Sequence, residues 1–169
     1  MTGPTAEVIE ENDLFAGISL PVLADFLEAG EEVEYPDNTT IIQEGSRTEG
    51  LYYIIEGEAD VIKGGETYLD VLGKGECFGE MSMFTAETAS ASVVSNGPLT
   101  VYFFSESLVN KFIDEHKNFA VVLLKNIIKR MSERLRKSTD AIRTIRDKTK
   151  SLLNNDFEKI FSTLDMDIV

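Results

Sequence analysis

Between Glu31 and Phe104 the chain is cut into short apolar segments by turn residues, and no other feature restricts its folding as strongly. The segments read EEVEY, TTIIQ, LYYIIEG, EADVIK, TYLDVL, SVVS and LTVYFF. Between them stand Pro36-Asp37-Asn38, Glu44-Gly45-Ser46, Gly57, Gly64-Gly65, Gly73 to Gly75 and Asn96-Gly97-Pro98. β-Branched and aromatic residues favour extended structure, and the intervening Gly, Pro, Asn and Asp supply turns. Short strands at this spacing make a sandwich or a rolled-up barrel rather than a parallel sheet.

Helical patterns flank the strands. Ala6–Phe15 is expected to form a short amphipathic helix leading into LFAGISLPVLADFLEAG. There Ser19 is placed to cap a second helix, Pro21 falls in its first turn and Gly30 is expected to stop it. After Phe104, Ser105 or Ser107 caps a helix through Glu115, and a long helix at 118–153 follows. Its apolar residues Leu124, Ile128, Met131, Leu135, Ile142, Ile145 and Leu152 alternate spacings of four and three, with Ser138 and Thr149 filling the gaps in register. That is a heptad seam. Val121, Val122 and Ile127 are assigned to the side facing the barrel. Beyond Met131 only the seam is apolar, so the stripe suits a second copy of itself. Leu124, Ile128, Met131, Leu135, Ile142 and Ile145 are thus the expected contacts of a parallel coiled-coil homodimer. Residues 154–169 are expected to form a separate short tail helix with Phe157, Ile160 and Phe161 on one face.

Charge divides the chain near the same point. Residues 1–116 carry 23 acidic side chains against 4 basic ones, and residues 117–169 carry 7 against 12, within a net charge of −14. An acidic head and a basic helix imply two surfaces with different partners. The basic residues suit a nucleic-acid backbone, and a solvated helix face explains them as well. No apolar run approaches the ~20 residues of a membrane span, and the acidic start MTGPTAEVIEEND is not a secretory leader. Cys77, the single cysteine, cannot form an internal disulfide, which fits a cytoplasmic protein; it reads as a small buried hydrophobe. A metal site in a barrel needs two or three inward histidines with a carboxylate, whereas His116 is the single histidine and stands at a helix end. Neither a metal nor another cofactor is expected. No nucleophile–base pair or hydrolytic motif is apparent, so catalysis is not expected either.

The binding chemistry concentrates in GECFGEMSMFTAETASASV, from Gly75 to Val93. A glycine followed by a short helical turn leaves backbone N–H groups unpaired, and these can cradle a phosphate. Glu80 is placed to accept a hydrogen bond from a sugar hydroxyl. The stretch resembles the phosphate-binding cassette of the cyclic-nucleotide-binding domain family, roughly F-G-E-L-A-L, a variable loop, then P-R-A-A/S-T-V. Phe78, Gly79 and Glu80 match, Met81 and Met83 replace the leucines, and Ser90 holds the small or hydroxyl position. Ala89 stands in place of the cassette arginine, and Thr88 stands where proline is frequent. Leu51-Tyr52-Tyr53-Ile54-Ile55 with Gly57 resembles the family's Y-x-I-x-x-G hairpin, and Leu14-Phe15-Ala16-Gly17-Ile18-Ser19 resembles its opening helical motif. The resemblance extends from Leu14 to about Asp140, within a domain placed at 6–140.

That resemblance implies an α+β fold: a double-stranded β-helix (jelly-roll) barrel at 31–104, short N-terminal helices and a long C-terminal dimerisation helix. It implies cyclic AMP or cyclic GMP as ligand, with Gly79, Glu80, Met81, Ser82, Ala89 and Ser90 lining the site. Arg134-Leu135 and Ser138-Thr139-Asp140 resemble the segment where, in transcriptional regulators of the family, hydroxyl residues of both protomers touch the base. Ser138 and Thr139 become base contacts on that basis, although a polar break of the heptad explains them as well. Those regulators carry a helix-turn-helix after the long helix; residues 151–169 are too few for one, so sequence-specific DNA binding is not expected. Three readings stay open: a cyclic-nucleotide-sensing regulatory module, a degenerate relative acting as a dimeric interaction module, and a weak nucleic-acid binder. An arginine–phosphate contact is worth roughly 2–5 kcal/mol on truncation, about 30-fold to several-thousand-fold in affinity, so Ala89 separates the first two.

Overall fold

The computed structural model describes residues 14–85 and 87–164, with side chains as far as Leu152. The elements are α1 (Leu20–Glu28), β1 (Glu31–Tyr35), β2 (Thr40–Ile42), β3 (Gly50–Lys63), β4 (Thr67–Leu72), β5 (Cys77–Phe78), α2 (Glu80–Thr85), β6 (Ser92–Ser105), α3 (Glu106–Glu115) and α4 (Lys117–Leu164). The strands pair antiparallel in the order β1-β6-β3-β4, with β2 also on β6 and β5 also on β3. This is the α+β jelly-roll arrangement expected from the sequence, with the long helix after it. The chain divides into two units, one ending at Ile127 and the other starting at Ile128.

The first unit is built on β3 and β6. Each joins two segments that read as separate strands: LYYIIEG with EADVIK, and SVVS with LTVYFF. Gly57 and Asn96-Gly97-Pro98 do not reverse the chain. They stand opposite one another as a bulge, where Ile54 pairs with Val101, Glu56 with Thr100 and Glu58 with Asn96. Gly57 takes φ +91°, and a Cβ there would overlap the Pro98 carbonyl oxygen and stand 3.0 Å from Leu99 Cα. A bulge changes which residues of a strand face inward. Before it Tyr52 and Ile54 pack inside the barrel; after it Ala59 and Val61 do, against Leu72, Phe78, Val93, Leu99 and Val101.

The opposite face of the same ladder carries the helices. Leu51, Tyr53 and Phe104 pack with Phe15, Leu23, Phe26, Phe112, Phe119 and Leu123 in a second, aromatic-rich core. Phe26 stacks on Phe104 with ring centroids 4.3 Å apart. Ser19 occupies the N-cap of α1 but makes no side-chain cap bond, and Pro21 lies in the first turn as expected. Gly30 does not stop α1 by a left-handed turn, because Ala29 forms the cap with φ −83°. Gly30 is required by packing instead: a Cβ would meet the Phe104 ring at 2.5 Å. Ser105, rather than Ser107, caps α3 and accepts the Leu108 N–H at 3.3 Å. The helix expected at 6–15 lies outside the described residues except for Leu14 and Phe15, which sit in a turn.

Helix α4 starts one residue earlier than expected. Phe119, Ala120, Leu123 and Ile127 are its buried positions, with Val122 partly buried. Val121, assigned to the core, is instead exposed, since the 3.6-residue period that buries 119, 120, 123 and 127 turns 121 outward. Asn126 Nδ2 donates to the carbonyls of Leu14 at 2.8 Å and Ala16 at 2.9 Å. The helix neither breaks at Ser138 nor ends at 153, and the tail expected as a separate helix continues it to Leu164. Lys117–Leu164 contains no glycine or proline to end it. The proposed face of Phe157, Ile160 and Phe161 lies outside the described side chains. In the second unit Ile128, Leu135, Ile142 and Ile145 are exposed, at 63–69%.

The bulge gives a paired test. Gly97 also has positive φ, +81°, but a Cβ there meets nothing within 4 Å. Gly97→Ala should cost about 1 kcal/mol for the left-handed backbone alone. Gly57→Ala adds an overlap with backbone that no side-chain rotation relieves, and should cost ~3 kcal/mol or more in urea unfolding. Equal losses would show that the bulge accommodates a Cβ.

Candidate functional site

Strand β5 pairs with β3 through Tyr52–Phe78 and Tyr53–Cys77. The Phe78 ring lies flat on Tyr52, with centroids 4.8 Å apart and planes 3° from parallel. Gly79 follows with φ +90°, where a side chain is strained. A Cβ at Gly79 would also overlap the Gly50 carbonyl oxygen and stand 2.9 Å from Thr48 Cγ2 and 3.2 Å from Tyr52 Cδ2. The turn therefore brings its backbone against β3 as only glycine can.

Helix α2 starts at once, and Glu80, its first residue, is 8% exposed. A buried carboxylate in a barrel of mostly apolar side chains is costly unless it is hydrogen-bonded. Ser82 Oγ donates to Thr48 Oγ1, which is itself buried. Met83 and Phe84 pack on the helical core, while Met81 points outward and is exposed.

Ala89 is held by two backbone bonds. Its N–H donates to the Ser46 carbonyl and its carbonyl accepts the Gly45 N–H, both at 2.8 Å. Its side chain packs at the edge of the barrel core. Ser90 is exposed, and its carbonyl accepts a bond from Lys63 Nζ at 2.9 Å. The loop between β2 and β3 thus ties both halves of the site together: Thr48 and Gly50 meet the Gly79–Ser82 turn, and Gly45 and Ser46 hold Ala89. Sequence reasoning treated this loop only as a turn. The Gly45-Ser46-Arg47-Thr48-Glu49-Gly50 run, hydroxyl and charged residues between two glycines, was the available signal.

Six of the expected residues, Gly79, Glu80, Met81, Ser82, Ala89 and Ser90, therefore gather around one loop, though Met81 turns its side chain to solvent. Ser138 and Thr139 belong to the second unit. Both are exposed, and Thr139 Oγ1 donates to the Leu135 carbonyl of its own helix at 2.9 Å. His116 caps α3, with its ring 5.4 Å from that of Phe112. Among the described residues no group of His, Cys, Asp and Glu could hold a metal ion, and no helix is long and apolar enough to cross a membrane.

The strands make a six-stranded antiparallel jelly roll with a Gly-Glu turn leading into a short helix. The family model for the cyclic nucleotide-binding domain matches residues 32–116, and the chain belongs to that family. A CRP-like cAMP-activated global transcriptional regulator of Mycobacterium tuberculosis is 22% identical over 129 residues, spanning 74% of this chain and 58% of that protein. A cAMP-dependent protein kinase regulatory subunit of Aspergillus niger is 30% identical over 94 residues, spanning 55% of this chain and 23% of that protein. The chain thus spans little more than half of the first relative and less than a quarter of the second. Among solved structures, a cyclic nucleotide-binding domain from Methylobacillus flagellatus superposes with TM-score 0.71 at 23% identity, covering 82% of this chain and 80% of that one. The Thermus thermophilus catabolite activator protein gives 0.67 at 23%, covering 79% and 62%. These likenesses establish the fold.

Burial pushes the Tyr52 phenol well above its usual range, with the neighbouring Tyr35 phenol and the Glu49 carboxylate adding to the rise. Its ionisation is thus disfavoured in the folded protein, while the unfolded chain ionises near 10. Stability from this group is complete below pH 10 and is lost as pH rises from there towards the folded-state value. In urea unfolding, wild type should lose more stability between pH 9 and pH 11 than Tyr52→Phe does. Parallel losses would assign the alkaline transition to other groups.

Proposed function

We propose that this chain is a non-enzymatic regulatory module that takes a cyclic nucleotide in its barrel and couples it to self-association through α4. The observation that carries the reading is the Gly79–Glu80 turn, in a family whose members bind cyclic nucleotides. A glycine that tolerates no Cβ brings peptide N–H groups to one point, and a buried carboxylate beside them can accept bonds from a ribose hydroxyl. Ser82 and Ser90 flank the turn as further polar groups. Ser138 and Thr139 are proposed as base contacts supplied by the long helix.

A second reading is favoured by Ala89: a member of the family that keeps the fold and serves as a dimeric interaction module without a cyclic nucleotide. Calorimetric titration with cyclic AMP and cyclic GMP separates the two. Under the first reading Ala89→Arg adds a planar, permanently charged fork beside the cradle and raises affinity by about an order of magnitude or more. Glu80→Ala in that background should reverse much of the gain. No binding in either wild type or Ala89→Arg, with the fold intact, would decide for the second reading. The basic face of α4 is expected to give at most weak, salt-sensitive nucleic-acid binding without sequence preference.

Self-association is proposed through the seam of Leu124, Ile128, Met131, Leu135, Ile142 and Ile145. Replacing Met131 and Leu135 by Glu places like charges at successive seam positions and should give monomers in sedimentation. A double variant that sediments like wild type would place any interface elsewhere.

A further inference from the structure

Residues 1–116 are strongly acidic, so a phosphate entering their barrel is repelled unless a cation stands at the point of entry. Four cations are available there: Arg47, Lys63, Lys74 and Lys111. Lys111 lies on α3 and lines a surface hollow with Ala29, Glu31 and Ser105. Lys74 is exposed in the turn before β5, and Arg47 is exposed on the loop before β3. Lys63 differs from all three. It is exposed like Lys74 and Arg47, but it ends β3 at the rim, two residues beyond Val61, which packs against the barrel core. Its ammonium reaches across to the Ser90 carbonyl at 2.9 Å, one residue beyond Ala89. The backbone around it is fixed: the Gly64 N–H donates to Glu44 Oε2 at 2.7 Å, and the Glu44 N–H donates to Ser92 Oγ at 2.9 Å.

We propose that Lys63 is the phosphate-binding cation of this barrel, delivered from the end of β3 to the segment where the cassette itself offers Ala89. The proposal rests on the ligand-binding reading of the site. An ammonium has three donors; one goes to the Ser90 carbonyl, which leaves two for phosphate oxygens. A lysine is a point charge rather than a planar fork, so it supplies attraction with little orientation and leaves orientation to the backbone and Glu80. Because the contact is at the solvent-exposed rim, affinity should fall as salt rises.

The test uses the 15N-labelled full chain, titrated separately with cyclic AMP, cyclic GMP and inorganic phosphate, following the amides of Glu80, Ala89 and Ser90. Lys63→Gln keeps a donor for the Ser90 carbonyl and removes only the charge. It should weaken anion binding about ten-fold, Lys63→Arg should retain most of it, and Arg47→Gln should change it no more than about three-fold. Without ligand, the Lys63→Gln spectrum should overlay that of wild type, which separates lost charge from a disturbed loop. In wild type, independently of any variant, the Lys63 side-chain resonances should shift with phosphate and those of Lys74 and Lys111 should not. Unchanged binding in Lys63→Gln, a larger loss in Arg47→Gln, or no phosphate shift at Lys63 overturns the assignment. If no cyclic nucleotide binds but phosphate shifts these amides in a Lys63-dependent way, the cyclic-nucleotide reading fails while the cation assignment stands for another phosphate-bearing ligand.

Discussion

The antiparallel ladder between β3 and β6 supports both cores of the first unit, one on each face. Each strand runs for 14 residues, and their register holds from Gly50–Ser105 to Ile62–Ser92 apart from the bulge. On the outer face it presents Leu51, Tyr53 and Phe104 to the helices, and on the inner face Tyr52, Ile54, Leu99 and Val101 to the barrel. An uninterrupted strand would carry the same parity to its end. The register shifts between Ile54 and Glu58 change it, so that Ala59 and Val61 pack inward.

The candidate site depends on two close backbone approaches. Gly50 sits so near Phe104 that a Cβ would overlap its carbonyl oxygen, and Gly79 sits equally near Gly50. Strand β6, the start of β3 and the Gly79 turn are thus layered with no side chain between them. Core packing in the ladder therefore sets where the Glu80 carboxylate and the α2 backbone stand. A catalytic or binding group fixed this way is held by backbone geometry, which gives preorganisation without depending on side-chain entropy.

Local chemistry made part of this legible in the sequence. The short apolar runs Leu51 to Ile55 and Leu99 to Phe104, rich in β-branched and aromatic residues and bounded by turn residues, show strands. The Phe78-Gly79-Glu80 turn was readable for the same reason: its constraint lies within a few adjacent residues. Gly57 was not, since a glycine that turns the chain and one that bulges within a strand look alike until the partner strand is known. The role of Gly30 was hidden in the same way, because the ring it makes room for lies on β6. Lys63 stands far from the cassette in sequence, so nothing local to either links them. Its contact with Ser90 spans 27 positions and exists only through the β3–β6 register. On α4 the seam was legible, and so was its narrowness; the continuity of the helix beyond 153 followed from the absence of a breaker, a feature that apolar periodicity does not report.

The seam and the charge around it bear on how a module of this kind would respond to a ligand. Along residues 128–152 the helix carries Lys129, Arg130, Arg134, Arg136, Lys137, Arg143, Arg146, Lys148 and Lys150 against Glu133, Asp140 and Asp147. Two copies aligned in parallel would bring these like charges together while burying only a narrow apolar stripe. Apolar burial and charge repulsion therefore oppose each other in the proposed dimer, and Ser138 and Thr149 at seam positions weaken the apolar side further. A ligand can shift such an equilibrium only by its difference in affinity for the two states. A few kcal/mol suffices where the states are nearly balanced, whereas a fully apolar seam would lie beyond its reach. On the proposed reading, then, the polar seam residues and the basic faces are what would leave the dimer responsive to occupancy of the barrel.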